Sequence, residues 1–378
     1  MKTIKVSNLH PGMKFDQPVF IEGDNVLVPA GVVIKDKDIE RLSRWDIEEV
    51  FTEGSEIVEA AAEAAAKFKD SPAWLPPREE KYLKIYRSAV EKVDAIFQDI
   101  ADETYLHHEP IDSVVKEMLD VLRQSKNEMI QLILLGEWVE RRLSVSAVNC
   151  MIISAVIGNT MKLASHRLLQ LATGALMHDV GMLKVEKGIL EKQGKLSGEE
   201  LTKIRTHPVI GYQSISRDMK YPEDIALVAL QHHEHWDGRG YPRSLKGEDI
   251  TLFARVVTVA DAYEAMVSER PYRNSMIGYS AMKNVLSDNG RHFDPRVLKA
   301  FLESMGVFPI GSIVQLNNSS IGRVSENHTE APLRPKVELL IDEFGTQIEG
   351  VEILDLLSKK NLFIVRAIDP KMIGEGEE

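Results

Sequence analysis

The run RLLQLATGALMHDVG keeps apolar residues at helical spacing up to His178 and Asp179, so a helix that has to be buried closes on an imidazole and a carboxylate. Burying an ionisable side chain in apolar surroundings is costly unless it is paired or coordinates a metal. The chain must therefore fold around a partner for these two groups. The same conflict recurs downstream. Asp261 lies inside RVVTVADAYEAM, the doublet His232-His233 follows the apolar stretch IALVALQ, and His207 stands before Pro208. Each position alone has an ordinary explanation: Asp179 as a helix-end cap beside a hydrogen-bonded His178, His207 as a residue at the start of a helix. Adjacent helical side chains diverge by about 100°, so His232 and His233 approach one site from two angles or serve different ions. Together the six residues form a mixed imidazole and carboxylate set, suited to iron, manganese or zinc-like ions rather than calcium.

The pattern around these positions is mainly α. Residues 78 to 305 read as successive helices, with apolar positions such as Ala89, Val93, Ile96 and Phe97 three and four apart. Residues 1 to about 55 mix strand-like runs (Thr3 to Val6, Gln17 to Ile21, Asn25 to Val28) with a helix-like stretch from Asp36 to Trp45. From Ser55 to Asp70 an Ala/Glu/Lys-rich stretch favours helix, and the prolines of SPAWLPP interrupt it. After Gly306 the runs SIVQL, IGRVS, KVELLI and LFIVRAI read as short strands. The expected organisation is a small α+β N-terminal module (1-70), a linker and helical connector (71-143), an all-helical domain (144-308) and a small β unit with its tail (309-378).

The formal net charge of -12 argues against a nucleic-acid polymer or an anionic membrane as partner, since the average field repels both. A small anion remains compatible where cations gather locally. The single cysteine, Cys150, gives no intrachain disulfide and fits a reducing compartment. The N-terminus lacks a signal-peptide pattern, and no segment reaches the roughly 20 apolar residues needed to span a bilayer. A cytoplasmic protein is expected.

The runs HDVGM, HHEHWDGRGYP and ADAYEAMVSERPYR resemble the HD-GYP family, the bacterial cyclic di-GMP phosphodiesterases, over roughly Ser144 to Phe308. The resemblance implies an all-helical HD-type phosphohydrolase domain with two transition-metal ions, iron or manganese. Carried over by position, Asp179 would bridge the ions and act with His178 in catalysis. His178 and Asp261 would hold one ion, and His207, His232 and His233 the other. Such a pair of ions activates water for in-line hydrolysis and neutralises phosphoryl charge, with pGpG and then, in some members, GMP as the family's products. Arg270 and Arg273 become candidate phosphate contacts. The loop Asp237, Gly238, Arg239, Gly240, Tyr241, Pro242 is expected to fix the wall of the site, with Asp237 and Tyr241 as braces, Arg239 exposed and Trp236 in packing.

This sequence departs from the family pattern at three places. Ser146 stands where the resemblance implies a further metal-binding histidine, and Arg142 where three-ion members carry a glutamate. Met182 replaces the lysine that usually ends the HD motif, with Lys184 the nearest substitute for substrate binding. A weakened first metal site follows, and with it a choice between an active phosphodiesterase and a catalytically impaired cyclic di-GMP receptor or protein-interaction regulator. The N-terminal stretch resembles a small module often joined to HD-GYP domains. The helices of 78-140 are expected to pair two chains, and signalling proteins are further expected partners.

Overall fold

The computed structural model describes residues 2–6, 9, 13, 15, 17–21, 25–32, 34–45, 47–54, 79–103, 108–134, 142–190, 192, 194–268, 278–288, 290–328 and 330–368. The Ala/Glu-rich stretch, the SPAWLPP linker, Arg270 and Arg273 lie outside them. The protein is mostly helical, with a strand-rich unit at each end.

The helical part is organised around α4 (Leu143–Thr160), whose side chains from Ser144 to Gly158 are buried on every face except at Ser146. A helix apolar all round belongs in the middle of a core. It packs against α2 (Glu80–Ala101), α3 (His108–Leu134), α5 (Ser165–Met177), α10 (Leu252–Val267) and α12 (Pro295–Met305). Contrary to the expectation that no segment is apolar enough to cross a bilayer, α4 is long and apolar enough, but 78% of it is buried inside the molecule. Its apolar character is explained by that burial: Ile152 and Ile153 are fully enclosed, each contributing about 2 kcal/mol.

Between α5 and α10 lie short helices that carry site residues: α6 (Lys187–Leu190), α7 (Gly198–Ile204), α8 (His207–Gln213) and α9 (Glu223–Gln231). α7 starts on a full capping box, Ser197 accepting from the Glu200 N–H while Glu200 accepts from the Ser197 N–H. α11 (Gly278–Ser287) precedes α12, which opens on an Asp294 cap and Pro295.

At the N-terminus β1 (Lys2–Lys5), β2 (Val19–Phe20), β3 (Val26–Val28) and β4 (Glu49–Thr52) form an antiparallel sheet in the order β1-β4-β2-β3, and α1 (Asp36–Arg44) adds Leu42 to a core with Val19, Ile34 and Val50. At the other end β5 (Ile313–Leu316), β6 (Ile321–Glu326), β7 (Lys336–Ile341), β8 (Ile353–Asp355) and β9 (Ile364–Ile368) form a sheet in the order β8-β7-β6-β5-β9 around Val314, Val324, Val337 and Leu356.

Candidate metal centre

Helix ends converge on one point. His178 caps α5, and Asp179 leads into a 3-10 turn, Val180–Lys184. That turn presses against the start of α8 because Gly181 has no side chain: a Cβ there would overlap the carbonyl of His207 and the N–H of Gly211. His207 thereby faces Asp179. α9 stops at Gln231, and His232 and His233 follow it, while Asp261 projects from within α10.

Asp179 sits at the centre. Its Oδ1 is 3.2 Å from His207 Nε2 and 3.4 Å from His232 Nε2, and its Oδ2 is 3.6 Å from His178 Nε2. His178 Nε2 lies 3.8 Å from Asp261 Oδ1. Ligand atoms of Asp179, His207, His232 and His233 all fall within 4.8 Å of one another. The two imidazoles of the doublet therefore do not diverge as successive helical residues would. The helix ends before them, and their ring centres are 4.1 Å apart.

The orientation of each ring has a local cause. Nδ1 of His178 donates to the Ala175 carbonyl at 2.7 Å, that of His207 to Ile204 at 2.7 Å and that of His232 to Ala229 at 2.9 Å. With Nδ1 so used, the Nε2 atoms point inward, and for a neutral ring each is a lone pair. Lone pairs of His207 and His232 then face a carboxylate oxygen. Asp179 Oδ1 and His178 Nε2 are buried without a hydrogen-bond partner among the described residues. Acceptors facing acceptors require a cation between them, so the donor set fits a transition ion.

Charge tells the same story. Burial pulls His178 down, but Asp179 and Asp261 beside it push it up to about 9, so an ion ligated by its Nε2 has to displace the proton that the two carboxylates hold there. Burial would raise Asp179, yet the His178 charge and the rings around it hold it well below the usual carboxylate range, and Asp261 is likewise held at about 2 by its contact with His178. His232 and His233 are lowered by burial and stay neutral, as ligands must. His178, His207 and His232 are almost fully enclosed, whereas the Asp179 and Asp261 side chains keep 23% and 26% of their surface open. The centre is thus reached from the carboxylate side.

The loop after the doublet is held by a residue that sequence reasoning passed over. Glu234, 1% exposed, accepts the N–H groups of Arg243 at 2.7 Å and Leu245 at 3.0 Å. Tyr241 donates its N–H to the His233 carbonyl and stacks on the His233 ring at 4.7 Å, and the Tyr241–Pro242 peptide is cis. Gly238 adopts φ +84, and Asp237 accepts from the Arg239 N–H. Arg239 is exposed, and Trp236 packs beneath Arg255.

The departures have definite places. Ser146 donates to Oε2 of the buried Glu264 at 2.6 Å, and Asn149 and Ser268 bond its Oε1. Arg142 reaches Asp94. Met182 lies in the 3-10 turn, and Lys184 pairs with Glu103 at 2.9 Å. Ser146 thus serves a carboxylate three residues beyond Asp261. Ser146→Ala leaves that buried oxygen without its donor, and urea unfolding will show a loss of about 1–3 kcal/mol. The metal content of the protein will stay at the wild-type level.

A family model described as HD domain matches residues 128–297, and one described as a KOW domain associated with HD domain matches 313–376. A cyclic di-GMP phosphodiesterase of Pseudomonas aeruginosa is 30% identical over 314 residues, covering 80% of this chain and 75% of that protein. The cyclic di-GMP phosphodiesterase PdeB of Borreliella burgdorferi is 31% identical over 197 residues, 52% of each chain. The cyclic di-GMP phosphodiesterase response regulator RpfG of Xanthomonas campestris is 36% identical over 151 residues, 40% of each. The chain spans about half the length of the second and less of the third.

Proposed function

This chain belongs to the HD-GYP family of HD-domain cyclic di-GMP phosphodiesterases, and on that premise we propose that it hydrolyses cyclic di-GMP at the centre built on Asp179. Linear pGpG is the product, and a second cleavage to GMP is the step that only some members of the family take. The observation that carries the reading is the convergence of Asp179, His207, His232 and His233 within 4.8 Å, with His178 and Asp261 alongside.

Asp179 Oδ1 with His207, His232 and His233 would hold one ion, and Asp179 Oδ2 with His178 and Asp261 the other, iron or manganese by the chemistry of the donors. When bound, such ions supply an activated water and neutralise charge on the phosphoryl oxygens. The protein's own part is orientation. Carbonyls at Nδ1 lock three rings, Tyr241 backs His233, and burial keeps water from the imidazole side. Arg270 and Arg273 are proposed as phosphate contacts, whereas Lys184 reaches substrate only by leaving Glu103.

A receptor without catalysis, the reading suggested by Ser146 and Met182, is not favoured, because the relatives are named phosphodiesterases. Residues 144-308 are proposed as the catalytic-type domain, flanked by the 1-70 module, the 71-143 connector and the 309-378 β unit. A homodimer through 78-140, signalling-protein partners and a cytoplasmic location suited to the buried Cys150 thiol complete the proposal.

The test is direct. Purified protein supplied with Mn2+ or Fe2+ is incubated with cyclic di-GMP and the nucleotides are separated by chromatography. Metal-dependent pGpG formation, lost after chelation, is expected. Binding of cyclic di-GMP by metal-loaded protein with no turnover would return the receptor reading.

A further inference from the structure

We propose that Arg205 grips the second, unreacting phosphate of the cyclic dinucleotide while the first lies at the metal centre, an inference that rests on the phosphodiesterase reading. Arg205 caps the C-terminal end of α7, two residues before His207, and its N–H bonds the Leu201 carbonyl. The capping box at Ser197 fixes the other end of that short helix. The backbone that carries Arg205 is therefore tied to a metal-centre residue.

Its side chain reaches toward the same place. The guanidinium lies over the Tyr241 ring, 5.1 Å from its centre, and that ring stacks on His233. Arg205 is exposed, and among the described residues its guanidinium meets the Tyr241 ring and no carboxylate. Several neighbouring cations are committed, Lys184 to Glu103, Lys203 to Glu186, Arg239 to Asp237 and Arg255 to Asp294. In a chain of net charge -12, Arg205 is set apart by its contact with the ring that stacks on His233.

The chemistry selects the ligand. The contact of the guanidinium with the Tyr241 ring uses none of its N–H donors, and such donors take phosphate oxygens in pairs. Hydrolysis needs one phosphodiester at the ions, yet a cyclic dinucleotide brings two negative phosphates. The second must meet a cation outside the ligand set. Arg205 would thus set specificity for a dianionic dinucleotide over a diester with a single phosphate.

Full-length wild type, Arg205→Ala and Arg205→Lys are compared on cyclic di-GMP and on bis(p-nitrophenyl) phosphate, a diester with one phosphate, with metal content measured on each. Equilibrium binding of cyclic di-GMP is measured in parallel, so turnover is not required. Arg205→Ala is expected to raise KM and the dissociation constant for cyclic di-GMP about tenfold, the loss of one charge-assisted contact. It will leave kcat, metal content and cleavage of the small diester near wild type. Arg205→Lys will recover part of the affinity. Unchanged affinity for cyclic di-GMP in Arg205→Ala overturns the proposal, as does an equal loss on both diesters accompanied by loss of metal. A wild type that cleaves the small diester and neither cleaves nor binds cyclic di-GMP overturns the functional reading itself.

Discussion

Asp179→Asn will lower cyclic di-GMP hydrolysis by about four orders of magnitude, roughly 5 kcal/mol of transition-state stabilisation, and will leave the purified protein nearly free of bound metal. Each oxygen of this carboxylate has its own audience: Oδ1 faces His207 and His232, and Oδ2 faces His178. Asparagine keeps the shape but removes the charge that draws cations in. Its amide nitrogen must also occupy one of the two oxygen positions, where it presents hydrogens and no lone pair. Either placement removes a ligand atom from one half of the centre. His178, pushed up to about 9 by Asp179 and Asp261, loses one of the two anions that hold its charge. Metal analysis and initial rates with added Mn2+ decide the matter, with circular dichroism to show that the helices persist. A variant that keeps full metal and a rate within tenfold of wild type would remove Asp179 from the centre of the mechanism.

What made the centre legible in the sequence was conflict between neighbours: His178 and Asp179 closing an apolar run, Asp261 inside another, and a histidine doublet after a third. Those conflicts mark polar groups that a core cannot hold unpaired. Of the residues that sequence reading missed, Glu264 carries the same mark, inside the run that holds Asp261, whereas Glu234 and Arg205 carry none. Glu234 sits among His233, His235 and Asp237, and its burial comes from N–H groups nine and eleven residues ahead. Glu264 stands in the same apolar run as Asp261, but which donors meet it, Ser146 and Asn149 from α4 and Ser268 beyond the end of α10, only the packing shows. Arg205 looks like any helix-end cation until Tyr241 is placed beneath it. The short strands Glu49–Thr52 and Ile353–Asp355 escaped for a related reason, since three or four residues are too few for alternation to show and pairing with a distant strand decides them.

The same dependence on close approach gives the second large effect, at Gly240. A Cβ there would drive into the His233 carbonyl, the Glu234 Cα and the His235 N–H, all backbone atoms that cannot turn aside as a side chain can. The loop cannot yield outward either, because Glu234 clasps it through Arg243 and Leu245 and Tyr241 is bonded to His233. Gly240→Ala must therefore push Tyr241 off the His233 ring and move His233 within the ligand set. A loss of about 3 kcal/mol in stability is expected from such overpacking. Hydrolysis should fall about a hundredfold, as for an ångström-scale displacement of a catalytic group. Gly238 supplies the contrast. It needs φ +84, but a Cβ there meets only the Lys246 side chain and the Ser244 carbonyl at ordinary or slightly short range. Gly238→Ala should cost about 1 kcal/mol of backbone strain and leave the rate near wild type. Urea unfolding and steady-state kinetics on the pair separate the two causes. Equal damage from both would mean that loop flexibility, and not the contact of Gly240 with the backbone beneath it, holds His233 in place.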